Sequence, residues 1–301
     1  MAADLPALHK AAREGRIDDV KALLAAGASV DERDPSTGAT ALCVAAASGQ
    51  NEVVKLLLSL GADVNAESKD GDTALMWAAQ SPQSPILKLL LEKGAKVNAR
   101  NKIGRTALLF ALGAEDIRNT TDLLENGADP NIALAAAHGT TPLIAVAAIP
   151  GPAGLALVRV LLEHGADVTP KTTDEGISAL FSAAYAGRSD MVELLLSKGA
   201  NVNDKNFAGS TALMVAAMGT GLAYLESANT GTVGDEEVVT RLRASTPLYV
   251  DTIKVLLKHG ADINLRNNGG WTALTGAEIM AARLPERKAV VQLLKSAGAK
   301  K

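Results

Sequence analysis

Four histidines, one cysteine and the acidic residues are the side chains in this 301-residue chain best suited to catalysis or metal binding. His9, His138, His164 and His259 are scattered, and no His-x-x-x-His or paired-cysteine spacing offers a zinc site. Cys43 lies one residue after Leu42 on a predicted short helix. No histidine is predictably near it, so a small buried side chain is expected there rather than a nucleophile. The chain has no Gly-x-Ser-x-Gly elbow and no Gly-x-x-x-x-Gly-Lys-Ser/Thr phosphate loop. Asp63, Asp129, Asp167 and Asp262 each follow a Gly-Ala pair in the same phrase, so a repeating pattern accounts for them better than an acid/base pair does. The expectation is a protein that is not an enzyme and holds no metal and no cofactor.

Composition narrows the remaining classes. Hydrophobic residues make up 48% and charged residues 21%, which excludes a disordered chain. Aromatic residues are only 3%, so alanine and leucine must do most of the packing. A net charge of −3 gives no basic field for nucleic acid or anionic lipid. No apolar run reaches the ~18 residues of a membrane span, and the N-terminus lacks the features of a secretory leader. The single cysteine fits a reducing compartment. A cytoplasmic protein is expected, or a periplasmic one if a leader has been removed.

The elements that would position any site come from repetition. Thr-Ala-Leu or a close variant recurs with its leucine at Leu8, Leu42, Leu75, Leu108, Leu143, Leu180, Leu213 and Leu274. Leu-Leu-x-x-Gly-Ala follows, with glycines at Gly27, Gly61, Gly94, Gly127, Gly165, Gly199 and Gly260, and a longer version ends at Gly298. Two markers in step near 33 residues make eight units. In one unit, Thr40 can cap a helix whose apolar side is Leu42, Ala45 and Ala46, and Gly49 stops it. Val53, Val54, Leu57 and Leu58 are spaced for a second helix, which Gly61 ends in the left-handed conformation. An extended polar finger then runs from Asp63 to Asp72, turning at Gly71. One such unit cannot bury its leucine row alone, so neighbours must stack.

Gly71-Asp72-Thr73-Ala74-Leu75-Met76-Trp77-Ala78-Ala79 and Leu57-Leu58-Ser59-Leu60-Gly61-Ala62-Asp63-Val64-Asn65 closely resemble the ankyrin repeat. The resemblance covers nearly the whole chain, and an insertion in the seventh unit looks like that of bacterial members. It implies an all-α ankyrin-repeat solenoid with hairpin-like fingers, one domain over residues 1–301. Its repeats would span 4–34, 35–67, 68–100, 101–133, 134–172, 173–205, 206–266 and 267–301. The family's Thr-Pro-Leu-His survives in fragments, Leu8-His9 and Thr141-Pro142-Leu143, with alanine mostly replacing proline. In the family a histidine at the His9 place ties backbone between repeats. His164 and His259 precede helix-ending glycines and are expected to be structural too, while His138 is assigned no role.

Departures from the period carry further expectations. Lys10, Arg13 and Glu14 at one end, and Arg283, Glu286, Arg287, Lys288 and Lys295 at the other, read as the solvated faces of terminal caps. Asn131–His138 is a long, apolar finger, and Ile149–Gly154 reads as an extended bend between helices. In the seventh unit about 28 extra residues, 220–246, fall between the two helices, and Asp235–Ala244 could form a short extra helix with Val238, Val239 and Leu242 on one face. That insertion is either a tolerated loop or a partner-binding element.

The resemblance implies a groove of fingers and inner helices that binds a protein partner. By matching place, the contact residues are Asp70, Asp72, Arg100, Lys102, Ile103, Arg105, Tyr185, Phe207 and Trp271, with Lys69, Ile177, Asn268, Gln80, Ser81 and Met218 nearby. Trp77 and Phe110 are expected to be core. Arg100, Lys102 and Arg105 form a basic tip beside Asp70 and Asp72. The function expected is a monomeric, non-enzymatic interaction scaffold that binds neither nucleic acid nor membrane. The alternatives are a small-molecule binder or enzyme with a pocket built by the fifth and seventh units, or a regulatory part of a larger protein.

Overall fold

The computed structural model describes residues 6–82, 85–219 and 236–300. It is all-α, without a sheet among the described residues; single antiparallel bridges such as Lys171 to Ser178 close individual fingers. Contacts divide the chain into two compact units, residues 1–137 with 159–166, and residues 138–158 with 167–301.

In the first unit helices alternate short and long. The short, inner helices are α1 (Ala7–Arg13), α3 (Ala41–Ala47), α5 (Ala74–Gln80) and α7 (Ala107–Gly113), and the outer ones are α2 (Ile17–Ala25), α4 (Asn51–Ser59), α6 (Pro85–Glu92) and α8 (Ile117–Glu125). In the second unit lie α9 (Pro142–Val146), α11 (Ala179–Tyr185), α12 (Ser189–Ser197) and α13 (Ala212–Met218). They are followed by α14 (Glu236–Lys258), α15 (Ala273–Arg283) and α16 (Lys288–Ser296), and α10 spans Gly151–Glu163. Within each unit successive inner helices pack side by side. Ala45, Ala46, Ala78, Ala79, Ala183 and Ala184 are fully buried at these contacts, and small side chains are what allow such close approach. All eight leucines of the recurring phrase are 3% exposed or less.

The helices start where a hydroxyl is available. Thr40, Thr73, Thr106, Thr141, Ser178, Thr211 and Thr272 each accept a hydrogen bond from the backbone N–H three residues on, satisfying one of the orphan donors of the first turn. Fingers are joined by backbone bonds. The N–H groups of Lys69 and Lys102 donate to the carbonyls of Thr37 and Asp70, and those of Thr173, Phe207 and Asn268 to His138, Glu175 and Ala208.

A second ladder runs through an asparagine that recurs in most of the repeats. Asn98 donates to the Gly127 carbonyl at 2.9 Å and accepts from the Asp129 N–H at 2.8 Å. Asn65 bonds Gly94 and Lys96 in the same way, and Asn203 bonds Gly260 and Asp262. Thr169 stands at this place in the fifth repeat. Its N–H and hydroxyl both bond Asp167 of its own finger, and a cavity of about 220 Å³ opens between it and Gly199, Ala200 and Asn201. Thr169→Asn will restore the rung and raise stability by about 1–2 kcal/mol. A urea titration showing no gain over the parent would exclude this.

Three expectations are corrected. The Ile149–Gly154 bend is shorter, because α10 already begins at Gly151; Pro152 fits a first helical turn, where its missing N–H costs nothing. The short helix foreseen at 235–244 is not separate. One helix of 23 residues runs from Glu236 to Lys258 through Pro247, while the side chains of Val238, Val239 and Leu242, and residues 220–235, lie outside the described residues. Finally, Arg287 is not part of the solvated cap. It is fully buried with its guanidinium 4.5 Å above the Tyr249 ring, and burial lowers its pKa from the usual value. Lys10, Arg13, Glu14, Arg283, Glu286, Lys288 and Lys295 are exposed.

Candidate functional site: an aromatic cavity between fingers

The titratable residues fall into structural places. His9 is buried and its Nε2 lies 2.9 Å from the Ala39 carbonyl of the next repeat, the tie the resemblance implies. The His164 ring meets the Val160 carbonyl near its helix end, and His259 pairs with Glu193. His138, with φ of 54°, lies 3.7 Å from Asp174. Cys43 is buried against Thr40 and the Ala66 carbonyl, and burial pushes its thiol pKa up, which disfavours the nucleophilic thiolate. Asp34 is buried too, but the hydroxyls and N–H groups of Ser36 and Thr37 hold its carboxyl far below the usual range. It locks a turn as a permanent anion. Among the described residues no three His, Cys, Asp or Glu side chains are grouped to hold a metal.

In the first unit the charged tip is largely committed to its own structure. Arg100 donates to the Ala133 carbonyl at 2.7 Å, and Asp72 accepts from the Asn101 side chain at 2.8 Å. Arg105 lies 5.7 Å from the centre of the Phe110 ring. Asp70 and Lys102 are exposed, and Ile103, next to Lys102 in the chain, is left 52% exposed. Trp77 and Phe110 are half-buried rather than core.

The second unit brings two of the sequence-derived residues together. Phe207 and Trp271, on neighbouring fingers, are 59% and 42% exposed, and both line one cavity of about 440 Å³, within the range of ordinary ligand pockets. Phe181 on α11 supplies a third ring, and Met214, Val215 and Met218 on α13 add apolar surface. Asp174 and Glu175 stand at the finger side, and among the described residues the lining contains no Lys, Arg or His.

Local bonding fixes the rings. The Asn267 N–H donates to the Trp271 carbonyl at 3.0 Å and its side chain accepts from the Trp271 N–H at 2.9 Å, closing that finger. Asn268 then bonds the Phe207 and Ala208 carbonyls, tying the two fingers. The Phe207 ring lies on Gly176, where a Cβ would come within 2.7 Å of it. A ring that rests on its neighbour and still faces outward is thus the arrangement adopted. Tyr185 is elsewhere: half-buried, with its carbonyl accepting from the Tyr249 hydroxyl at 2.9 Å. The residues unforeseen in the sequence are Phe181, Met214, Asp174 and Glu175. Phe181 and Met214 come directly after the invariant leucine, a place that varies from unit to unit, and this variation was the available signal.

Among the described residues no helix is long and apolar enough to cross a membrane. Comparison with known proteins places the repeats. Similarity to the family described as ankyrin repeats (3 copies) extends over residues 8–101, 64–133, 86–172, 108–206 and 153–229. Protein phosphatase 1 regulatory subunit 27 of Mus musculus is 43% identical over 68 residues, 23% of this chain and 44% of that protein. A putative ankyrin repeat protein of fowlpox virus is 33% identical over 127 residues, 37% of this chain and 35% of that protein. Ankyrin repeat and SAM domain-containing protein 6 of Rattus norvegicus is 39% identical over 85 residues, 28% of this chain and 9% of that protein. The chain thus spans less than half the length of each of these relatives. With the matched segments reaching from residue 8 to 229 and the same helix pair recurring on both sides, the chain belongs to the ankyrin-repeat family.

Proposed function

We propose that this chain is a non-enzymatic scaffold that docks a protein partner on the face made by fingers and inner-helix ends, with the Phe207–Trp271 cavity as its main anchor. One observation carries the reading. Large rings are left half out of a fold that buries the eight leucines of its recurring phrase almost completely, and they converge on one cavity on bonded fingers. Exposed aromatic side chains set around a pocket are what interface centres favour. A surface held in place before binding loses little conformational freedom on docking. Ile103, 52% exposed on a finger of the first unit beside the exposed Lys102, is a second contact point. Relatives whose names call them regulatory subunits of a phosphatase support an adaptor role rather than catalysis.

The test is paired. Trp271→Ala and Phe207→Ala will each weaken partner binding by about tenfold or more, while melting shifts by no more than a few degrees. Affinity purification with parent and variant, followed by calorimetry on the recovered partner, reads both quantities. Equal losses of stability and capture would make the rings structural, and undiminished capture would remove the cavity from the interface.

A further inference from the structure

The cavity's chemistry is more specific than a greasy slot, and the ligand preference it encodes rests on its being a docking site. Its apolar surface comes mainly from aromatic rings and methionines, soft and polarisable groups, and among the described residues its only charges are two carboxylates. His138 of the preceding finger lies 3.7 Å from Asp174, and the lysines and arginine of the cavity's own fingers are spent elsewhere. Lys171 is spent on Asp204, at 2.5 Å, and on the Lys205 carbonyl. Lys205 donates to the Arg266 carbonyl and Arg266 to the Gly270 carbonyl. Asp174 is kept ionised by the Thr172 hydroxyl, the Glu175 N–H and the nearby His138, and its side chain is 38% exposed. A negative, ring-walled recess selects an occupant that is apolar along its length and cationic at its end.

We propose that the cavity receives an arginine side chain projected by the partner, its stem against Met214 and Met218 and its guanidinium between the rings and the carboxylates of Asp174 and Glu175. Arginine fits better than lysine on three counts. Its planar head stacks on aromatic faces, it is more weakly hydrated and so is desolvated at lower cost, and its fork of N–H donors matches a carboxylate. A phenylalanine or leucine would fill the apolar part and leave both carboxylates without a counter-charge.

The chain has two tryptophans, so in a Trp77→Phe background Trp271 is the sole reporter at the cavity. Three blocked pentapeptides, acetyl-Gly-Ser-X-Ser-Gly-amide with X arginine, citrulline or norleucine, are titrated to about 5 mM while tryptophan emission is followed. The arginine peptide will shift the emission saturably, and citrulline, its neutral isostere, will bind at least about tenfold more weakly. The double variant Asp174→Asn, Glu175→Gln will bring arginine down to the citrulline level with melting unchanged. Citrulline equal to arginine, or no shift with any of the peptides, overturns the assignment. Norleucine binding more tightly than arginine overturns it as well, but leaves the cavity as a docking site for an apolar side chain. Partner capture undiminished by Trp271→Ala removes the docking reading itself.

Discussion

Asn119→Asp will cost this protein about 3–5 kcal/mol, although it exchanges only an amide nitrogen for an oxygen. Asn119 lies in the first turn of α8, 1% exposed, and its side-chain nitrogen donates to the carbonyls of Ala79 and Ser81 at 3.4 and 2.8 Å. It staples the outer helix of one repeat to the end of the previous inner helix. Gln50 does the same to the Arg13 carbonyl, and Arg188 to the carbonyls of Ile149 and Gly151. An aspartate there would set an unpaired buried charge against two carbonyl oxygens, with the Asp116 side chain close by on the Asn119 N–H. Asn119→Ala, which only leaves those carbonyls unpaired, will cost about 2 kcal/mol. The pH dependence separates the two variants. The new carboxyl is harder to ionise folded than unfolded, so its folded pKa is raised. Its penalty is complete above that value, fades as pH falls from there toward the unfolded value of about 4 and is gone below it, whereas the alanine penalty stays constant. Urea unfolding at neutral and acid pH measures this, and an aspartate variant no weaker than the alanine one at neutral pH would refute the staple.

Gly209→Val will cost about 2–4 kcal/mol and abolish the cavity's alignment. Gly209 is buried with φ of 74°, which a β-branched residue adopts only under strain, and a Cβ would lie 2.9 Å from the Asn268 backbone nitrogen. That nitrogen and the Asn268 side chain hold the Phe207 finger to the Trp271 finger, so the added bulk must part them. Gly199→Val is the control, since its φ of 94° gives a similar backbone penalty with nothing within 4 Å. The melting temperature and, in the Trp77→Phe background, the Trp271 emission are the readouts. If valine at 209 proves no worse than valine at 199 in both, the fingers do not depend on this approach.

Legibility in the sequence tracks what each residue's role depends on. Thr73 and Leu75 act within their own unit, one on an N–H three residues away and the other on a leucine row, and their places could be read directly. His9 was legible through the family resemblance, which places there a histidine that ties backbone between repeats. Arg287 was not. Lysine and arginine on a terminal repeat are solvated as a rule, and only the packing of α14 to α16 sets Tyr249 beneath this one. Arg100 looked like a free cation at a tip, but the finger ahead of it places the Ala133 carbonyl in reach. The helix joined through Pro247 was also hidden, since proline normally argues for a boundary.

By itself the sequence determined the repeat, its caps, its glycine-ended helices and the absence of a recognisable catalytic motif, because these are local patterns written eight times. Tertiary structure alone decided that Phe207 and Trp271, 64 positions apart, share a cavity with Phe181 and two carboxylates. The reason is physical: stacking converts a separation of one repeat, or of one repeat and an insertion, into the same short finger-to-finger distance, and side chains on variable places meet according to that distance rather than their spacing along the chain.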